Sequence, residues 1–303
     1  MPKLSGIIAP ILTPFGSDGT VANDLWVSHA KWVLDQGAHY LSPFGTTGEA
    51  LSLSPSERMA AVEALVNAGI PADRLMPGTG LPSLVDTTEL TRHAVALGVK
   101  GVMELPSFFY TDANEDGHFR YFEALVGAIA DPKLQICLYN IPQNSGVEVT
   151  PSLAARLNKA FPEVFVAYKD SCGDWDHTQQ VIAAAPALAV FPGSESFLTQ
   201  GLANGCAGCI SATVNVNAAA IRAVYDATLT GADVTETDRA IKDFRAQVQD
   251  AGLIRAMKAM LAVRSGDDRW LNLRPPLLNG THDLGDVLLT KLGHAADHIG
   301  PDL

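Results

Sequence analysis

The sequence predicts a (β/α)8 barrel followed by a small C-terminal helical domain. Eight short apolar, strand-like runs alternate with helical stretches at about 25 to 30 residues per unit. The G-x-G-x-x-G turn that would mark a dinucleotide-binding open sheet is absent after the first run. A length of 303 residues suits one barrel of about 250 residues with an appendage. We place the barrel at residues 1–230 and the helical domain at 231–303.

The elements follow in order. Gly6 to Phe15 reads as the first strand, short or bulged at Pro10, because proline cannot donate to a ladder. A helix capped by Asn23 runs to Gln36 and stops at Gly37. Tyr40 to Ser42 is the second strand. Ser54-Pro55-Ser56-Glu57 opens the next helix, with proline in its first turn and glutamate three residues after the serine, a capping box. Leu75 to Thr79 and Gly101 to Leu105 are strands three and four, with a helix from Leu84 to Leu97 between them. A helix from Asp112 to Ala130, a fifth strand from Ile136 to Asn140 and a helix from Pro151 to Phe161 come next. Phe165-Val166-Ala167-Tyr168-Lys169 is the sixth strand, an apolar run of the kind buried on both faces of a parallel sheet. A helix from Asp174 to Ala185, strand seven from Leu188 to Pro192, a helix from Ser196 to Asn204 and strand eight from Gly208 to Ser211 complete the barrel. Beyond Asn217 the strand signals cease. The stretches 218–231, 236–252, 253–264 and 284–298 read as helices, and Arg274-Pro275-Pro276-Leu277 as extended.

Composition narrows the function. Hydrophobic residues make up 47% and charged residues 18%, with no apolar run near the roughly 20 residues a membrane span needs. The start, Met1-Pro2-Lys3-Leu4-Ser5, lacks a signal-peptide pattern, so a cytoplasmic protein is expected. A net charge of −12 without a basic stripe argues against nucleic acid. Four cysteines do not make a disulfide framework, and Cys206-Ala207-Gly208-Cys209 is a lone CxxC in an apolar segment with no second pair, so no metal is assigned.

In barrels of this kind chemistry gathers where the strands end. Strand six ends on Lys169, where burial would favour a neutral amine able to attack a carbonyl and form a Schiff base. A lysine that snorkels to solvent or pairs with Asp170 is the plainer alternative. Strand five ends in Tyr139-Asn140-Ile141-Pro142, placing a phenol one strand away as a rim residue or an acid/base. After strand two, Gly45-Thr46-Thr47-Gly48-Glu49 offers backbone N–H groups and hydroxyls to a small carboxylate, or is a plain helix-capping turn. Gly193-Ser194-Glu195 and Ile210-Ser211 bring small and polar groups to the same rim.

With G-T-T-G-E at 45 to 49, Y-N-I-P at 139 to 142 and Y-K-D-S at 168 to 171, the chain resembles the dihydrodipicolinate synthase / N-acetylneuraminate lyase family. The likeness runs from A-P-I-L-T-P-F near the start to R-P-P-L in the helical tail. It implies a Schiff-base lyase whose substrates are a 2-oxo acid and an aldehyde, with no cofactor beyond the lysine imine. By the same resemblance Lys169 forms the imine, Tyr139 is the acid/base, and Thr46 links it to a proton relay. Thr47 and Gly48 hold the substrate carboxylate, and Ile210 lines the imine by its backbone. Tyr110, in Pro106-Ser107-Phe108-Phe109-Tyr110, matches the tyrosine a neighbouring subunit contributes, in a loop one residue longer than in the synthases. A homotetramer built as a dimer of dimers is implied.

One position departs from the family. The synthases carry an arginine two residues after Y-N-x-P, and Asn144 stands there. An amide cannot give the bidentate, charge-assisted clamp of a guanidinium. Asn144, Gln143, Ser194 and Glu195 suit a polyhydroxy substrate better, with Gly193 beside them. The leading expectation is therefore an aldolase or dehydratase acting on a 2-oxo-3-deoxy acid. The alternatives are condensation of pyruvate with aspartate semialdehyde, as 4-hydroxy-tetrahydrodipicolinate synthase does, and a non-catalytic 2-oxo acid sensor.

Overall fold

The computed structural model describes residues 4–300. In chain order the elements are β1 (Gly6–Ala9), α1 (Asn23–Asp35), β2 (Tyr40–Leu41), α2 (Pro55–Asn67), α3 (Leu84–Ala96), β3 (Val102–Glu104), α4 (Glu115–Ile129) and β4 (Ile136–Asn140). They continue with α5 (Pro142–Ser145), α6 (Pro151–Ala160), β5 (Phe165–Asp170), α7 (Trp175–Ala184), β6 (Ala189–Pro192), α8 (Leu198–Ala203) and β7 (Gly208–Ile210). The tail holds α9 (Val214–Leu229), α10 (Thr235–Asp250), α11 (Leu253–Ser265) and α12 (His282–Leu292). Packing divides the described residues into two compact units, 4–6 with 71–210 and 7–70 with 211–300.

The first unit is built on the parallel order β3-β4-β5-β6. The segment 75–79 lies along β3, with Thr79 N–H donating to the Met103 carbonyl (3.1 Å) and Met103 N–H to that of Pro77 (2.9 Å). It forms a single bridge, Gly78 to Met103, instead of the full third strand expected. Pro77 supplies the reason, since it has no N–H for the ladder. Alternation along the strands sorts the side chains into two faces. Ile136, Leu138, Tyr168 and Val190 join Phe122, Leu125, Leu153 and Leu157 from α4 and α6 in one core. Tyr139 lies on the other face with Met103 and Ile141.

The second unit pairs β1 with β2 in parallel, Ile8 opposite Tyr40 and Ala9 opposite Leu41. The strand ends before Pro10, as the proline requires. Buried Asn215 takes over the backbone groups beyond it: its Oδ1 accepts from Leu12 N–H (2.9 Å), and its Nδ2 donates to the Pro10 carbonyl (2.9 Å). The core joins Leu12, Leu25 and Val216 to Phe244, Met257, Met260, Trp270 and Leu288 of the tail helices.

Side-chain N-caps open α2, α3, α4, α6, α7 and α12. Ser54 and Glu57 form the reciprocal capping box expected for α2. The first helix corrects the expectation: Asn23 is its first residue, and no side chain caps it. Two further differences are structural. The short helix Pro142–Ser145 follows β4 directly, and α9 runs through a kink at Asn217.

Candidate active site

The first unit's site is set by strand register. β4 and β5 pair so that Tyr139 stands opposite Lys169 and Asn140 opposite Asp170. One step of the pleat therefore aims the phenol and the amine to the same side. The Lys169 Nζ lies 4.0 Å from the Tyr139 ring centroid. Both side chains are buried, Lys169 at 4% exposure and Tyr139 at 3%, which disposes of a lysine that snorkels to solvent. Cys137, two residues before the phenol, is held in its thiol form: burial pushes it up to about 12, with the charge and backbone of Lys169 acting the other way.

The residues that follow the pair tie the two strand ends together. Asn140 Nδ2 donates to Asp170 Oδ1 (3.0 Å), and its Oδ1 accepts from Val149 N–H (3.0 Å). Asp170 also accepts from Thr178 Oγ1 (2.8 Å) and Cys172 N–H (3.2 Å), and its Oδ2 meets His177 Nδ1 at 2.8 Å. Burial pushes the Asp170 carboxyl up, but hydrogen bonds from His177, Asn140 and Cys172 outweigh it and hold the group below its ordinary value. Ser171 N–H continues the ladder to the Asn140 carbonyl (2.8 Å), and Gln143 Nε2 donates to the Ser171 carbonyl (2.7 Å). Asp170, Cys172 and His177 bring ligand atoms within 4.8 Å of one another, a grouping the sequence did not suggest. Hydrogen bonding accounts for it, since protein donors engage both Asp170 oxygens and burial pushes the Cys172 thiol up to about 12.

The remaining expected residues of this unit fall at strand ends and loops. Gly193 follows β6, its N–H donating to the Asp170 carbonyl (2.6 Å). A Cβ there would lie 2.2 Å from Ser171 Oγ, so only glycine lets this turn close onto the end of β5. Glu195 is fully buried, Ile210 ends β7, and Asn144 is exposed on α5. Tyr110 is 65% exposed, its ring edge-on to Phe109 at 5.7 Å. The structure thus brings Lys169 and Tyr139 together, with Gly193 beside the end of the lysine strand.

Thr46, Thr47 and Gly48 belong to the second unit, in a turn with a built frame. Phe44 and Glu49 bracket it with left-handed backbones, at φ 59° and 56°. The Gly48 N–H donates to the Gly45 carbonyl and the Glu49 N–H to that of Thr46, both at 3.1 Å. Thr13 Oγ1 donates to the Gly48 carbonyl (2.8 Å), and a Cβ on Gly48 would stand 2.7 Å from the Ile11 carbonyl. Thr47 is buried and Thr46 exposed.

What holds this turn is a buried ion pair. Lys258 Nζ reaches Glu49 Oε1 (2.6 Å) and the Asn272 carbonyl (2.7 Å), with both side chains fully enclosed. Arg274 N–H donates to Glu49 Oε2 (3.1 Å), and its guanidinium is clamped by Glu57. Lys258 and Arg274 both stand on the Phe15 ring, at 4.7 and 4.8 Å. Burial pulls Lys258 down to about 8, with the charge of Glu49 opposing. Replacing the lysine by methionine would leave a carboxylate enclosed without its cation, a loss of about 3–5 kcal/mol. Lys258→Met is therefore expected to unfold at markedly lower urea concentration than wild type. Unchanged stability would mean that the pair does not hold the turn.

A buried lysine beside a tyrosine on adjacent parallel strands is an arrangement suited to imine chemistry. The Dihydrodipicolinate synthetase family model matches residues 3–292, and the chain belongs to that family. An uncharacterized DapA-like lyase of Chloroflexus aurantiacus is 36% identical over 280 residues, 92% of each chain. The crystal structure of dihydrodipicolinate synthase from Agrobacterium tumefaciens matches with a TM-score of 0.86 and 29% identity, covering 95% of this chain and 99% of that one. A Sulfolobus solfataricus 2-keto-3-deoxygluconate aldolase variant shares the fold, with a TM-score of 0.84 and 20% identity over 94% of both chains. The fold is accordingly the (β/α)8 barrel with a C-terminal helical region, and the chain is a class I lyase of this family. Among the described residues no helix is long and apolar enough to cross a membrane.

Proposed function

We propose that this lyase cleaves a 2-oxo-3-deoxy acid to pyruvate and an aldehyde, or dehydrates such an acid, through an imine at Lys169. The observation that carries the reading is the buried amine 4.0 Å from the Tyr139 ring, on registered neighbouring strands. The Lys169 amine adds to the C2 carbonyl, and water leaves as the iminium forms. In cleavage the electrons of the C3–C4 bond pass into the iminium, while Tyr139 takes the proton from the C4 hydroxyl. The bond pair leaves an enamine; Tyr139 returns the proton it took to C3, and hydrolysis of the resulting imine by water gives pyruvate and the free amine. No cofactor or metal takes part in this reading.

Family resemblance supplies the other roles. Thr46 relays the proton, Thr47 and Gly48 hold the carboxylate, Ile210 lines the imine, and Gly193, Glu195 and Asn144 meet the rest of the substrate. Tyr110 serves a neighbouring subunit in a cytoplasmic homotetramer. Similarity to the Agrobacterium dihydrodipicolinate synthase supports a second reading, condensation of pyruvate with aspartate semialdehyde. Asn144 favours the first, since it offers that aldehyde's carboxylate no charge.

A panel of 2-oxo-3-deoxy sugar acids assayed for pyruvate release tests the choice against turnover of the semialdehyde. Release from at least one sugar acid, with poor use of the semialdehyde, is the expected result. Efficient turnover of the semialdehyde alone would overturn the aldolase reading.

A further inference from the structure

Besides Lys169 and Tyr139, the end of the β4–β5 pair carries a chain of polar groups that the proposed mechanism does not use. Its middle member is His177, in the first turn of α7. The imidazole is enclosed to 12% side-chain exposure, between buried Asp170 (Nδ1 to Oδ2, 2.8 Å) and half-exposed Glu148 (Nε2 to Oε1, 3.2 Å). The imidazolium form donates from Nδ1 to Asp170 and meets Glu148 as an ion pair at 3.2 Å, a contact held by charge rather than by a formed hydrogen bond.

The chain runs on from there. Asp170 accepts from Asn140, and Asn140 accepts from Val149 N–H, the residue after Glu148. The circuit therefore closes: Glu148, His177, Asp170, Asn140 and the 148–149 backbone form one ring of contacts. Tyr168 fastens it from the other side, its hydroxyl donating to the Val149 carbonyl. Asn140 directly follows Tyr139, and Asp170 directly follows Lys169.

We propose that His177 is a positioning residue for the imine chemistry, holding the ends of β4 and β5 so that Lys169 and Tyr139 keep their mutual placement. The inference rests on the Schiff-base reading above. Its chemistry is that of a charge-assisted bridge: the imidazolium offsets the Asp170 carboxylate one residue from the reacting amine, and pins the 147–149 loop through Glu148.

The surroundings agree. The charged groups on the ring are Asp170 and Glu148, with the Cys172 sulfur at the same cluster and the Tyr168 ring centroid 6.4 Å away. From α6, which packs on α7, Arg156 turns instead to Glu115 and Asp116. β6, also packed on α7, offers no titratable side chain. The bond to Asp170, opposed by burial and helped by the charges of Asp170 and Glu148, raises His177 above its ordinary value of 6.5. A raised folded value means that the bridge is complete below about 6.5 and is lost as pH climbs through the raised value.

The test uses the intact enzyme. Pyruvate and borohydride trap the imine, the trapping rate is followed by intact mass across the pH range, and thermal unfolding is measured beside it. His177→Asn keeps one donor toward Asp170 and loses the charge and the contact to Glu148. We expect it to fold and to trap about tenfold more slowly near pH 6, the equivalent of one charge-assisted hydrogen bond. The ratio of wild-type to variant rates should fall toward one at alkaline pH. Glu148→Gln, at a half-exposed position, should show a smaller deficit with the same pH trend, and it decides the matter if His177→Asn does not fold. A folded variant that traps at the wild-type rate at every pH overturns the proposal, as does a deficit that does not change with pH. Absence of an adduct in wild type would instead overturn the Schiff-base reading itself.

Discussion

Lys169→Ala is expected to take up no pyruvate adduct under borohydride, where the wild-type enzyme gains one per chain by intact mass. The geometry makes the result specific. Lys169 is buried and stands on the Tyr139 ring, while Lys258, fully enclosed in the other unit, is already engaged by Glu49 and the Asn272 carbonyl. Turnover in the alanine variant should fall by at least about four orders of magnitude, the scale seen when a covalent nucleophile is removed. The fold should survive, because Asp170, which carries the hydrogen bonds at the end of β5, is untouched. An adduct that persisted in the variant, or that mapped to another lysine, would refute the assignment.

Tyr139→Phe should reduce turnover by about 10²–10⁴-fold, the usual weight of one positioned acid/base group, with little change in thermal stability. Phenylalanine keeps the ring that faces the amine and the apolar contacts with Met103 and Ile141, so the experiment isolates the hydroxyl. The variant should still trap pyruvate, more slowly, because imine formation requires the amine first. A rate within about twofold of wild type would remove the phenol from proton transfer.

Much of this was legible in the sequence because it rests on local chemistry. A buried apolar run ending on lysine is a one-dimensional signal, and so is a phenol at the end of the preceding strand. The capping box at Ser54 and Glu57 formed as read. The third strand faded because Pro77 breaks its ladder, and Asn23 begins its helix without capping it. The least legible parts were the polar groups whose partners are remote or lie across a turn. His177 follows Lys169 by eight positions, yet only the return of α7 onto the end of β5 brings its ring to Asp170. Lys258 left one trace: a lone charge inside Ala256-Met257-Lys258-Ala259-Met260-Leu261, where every neighbour is buried. Its partner, Glu49, is 209 positions away, beyond what periodicity reports.

That separation bears on how the protein is made. A ribosome synthesises Glu49 long before Lys258, and at about 5–20 residues per second the interval is on the order of ten seconds or more. Through that time the glutamate has no internal cation and stays hydrated, so the glycine-bounded turn beside it cannot take its final shape. The second unit therefore completes its contacts only once the tail helices that supply much of its core have emerged.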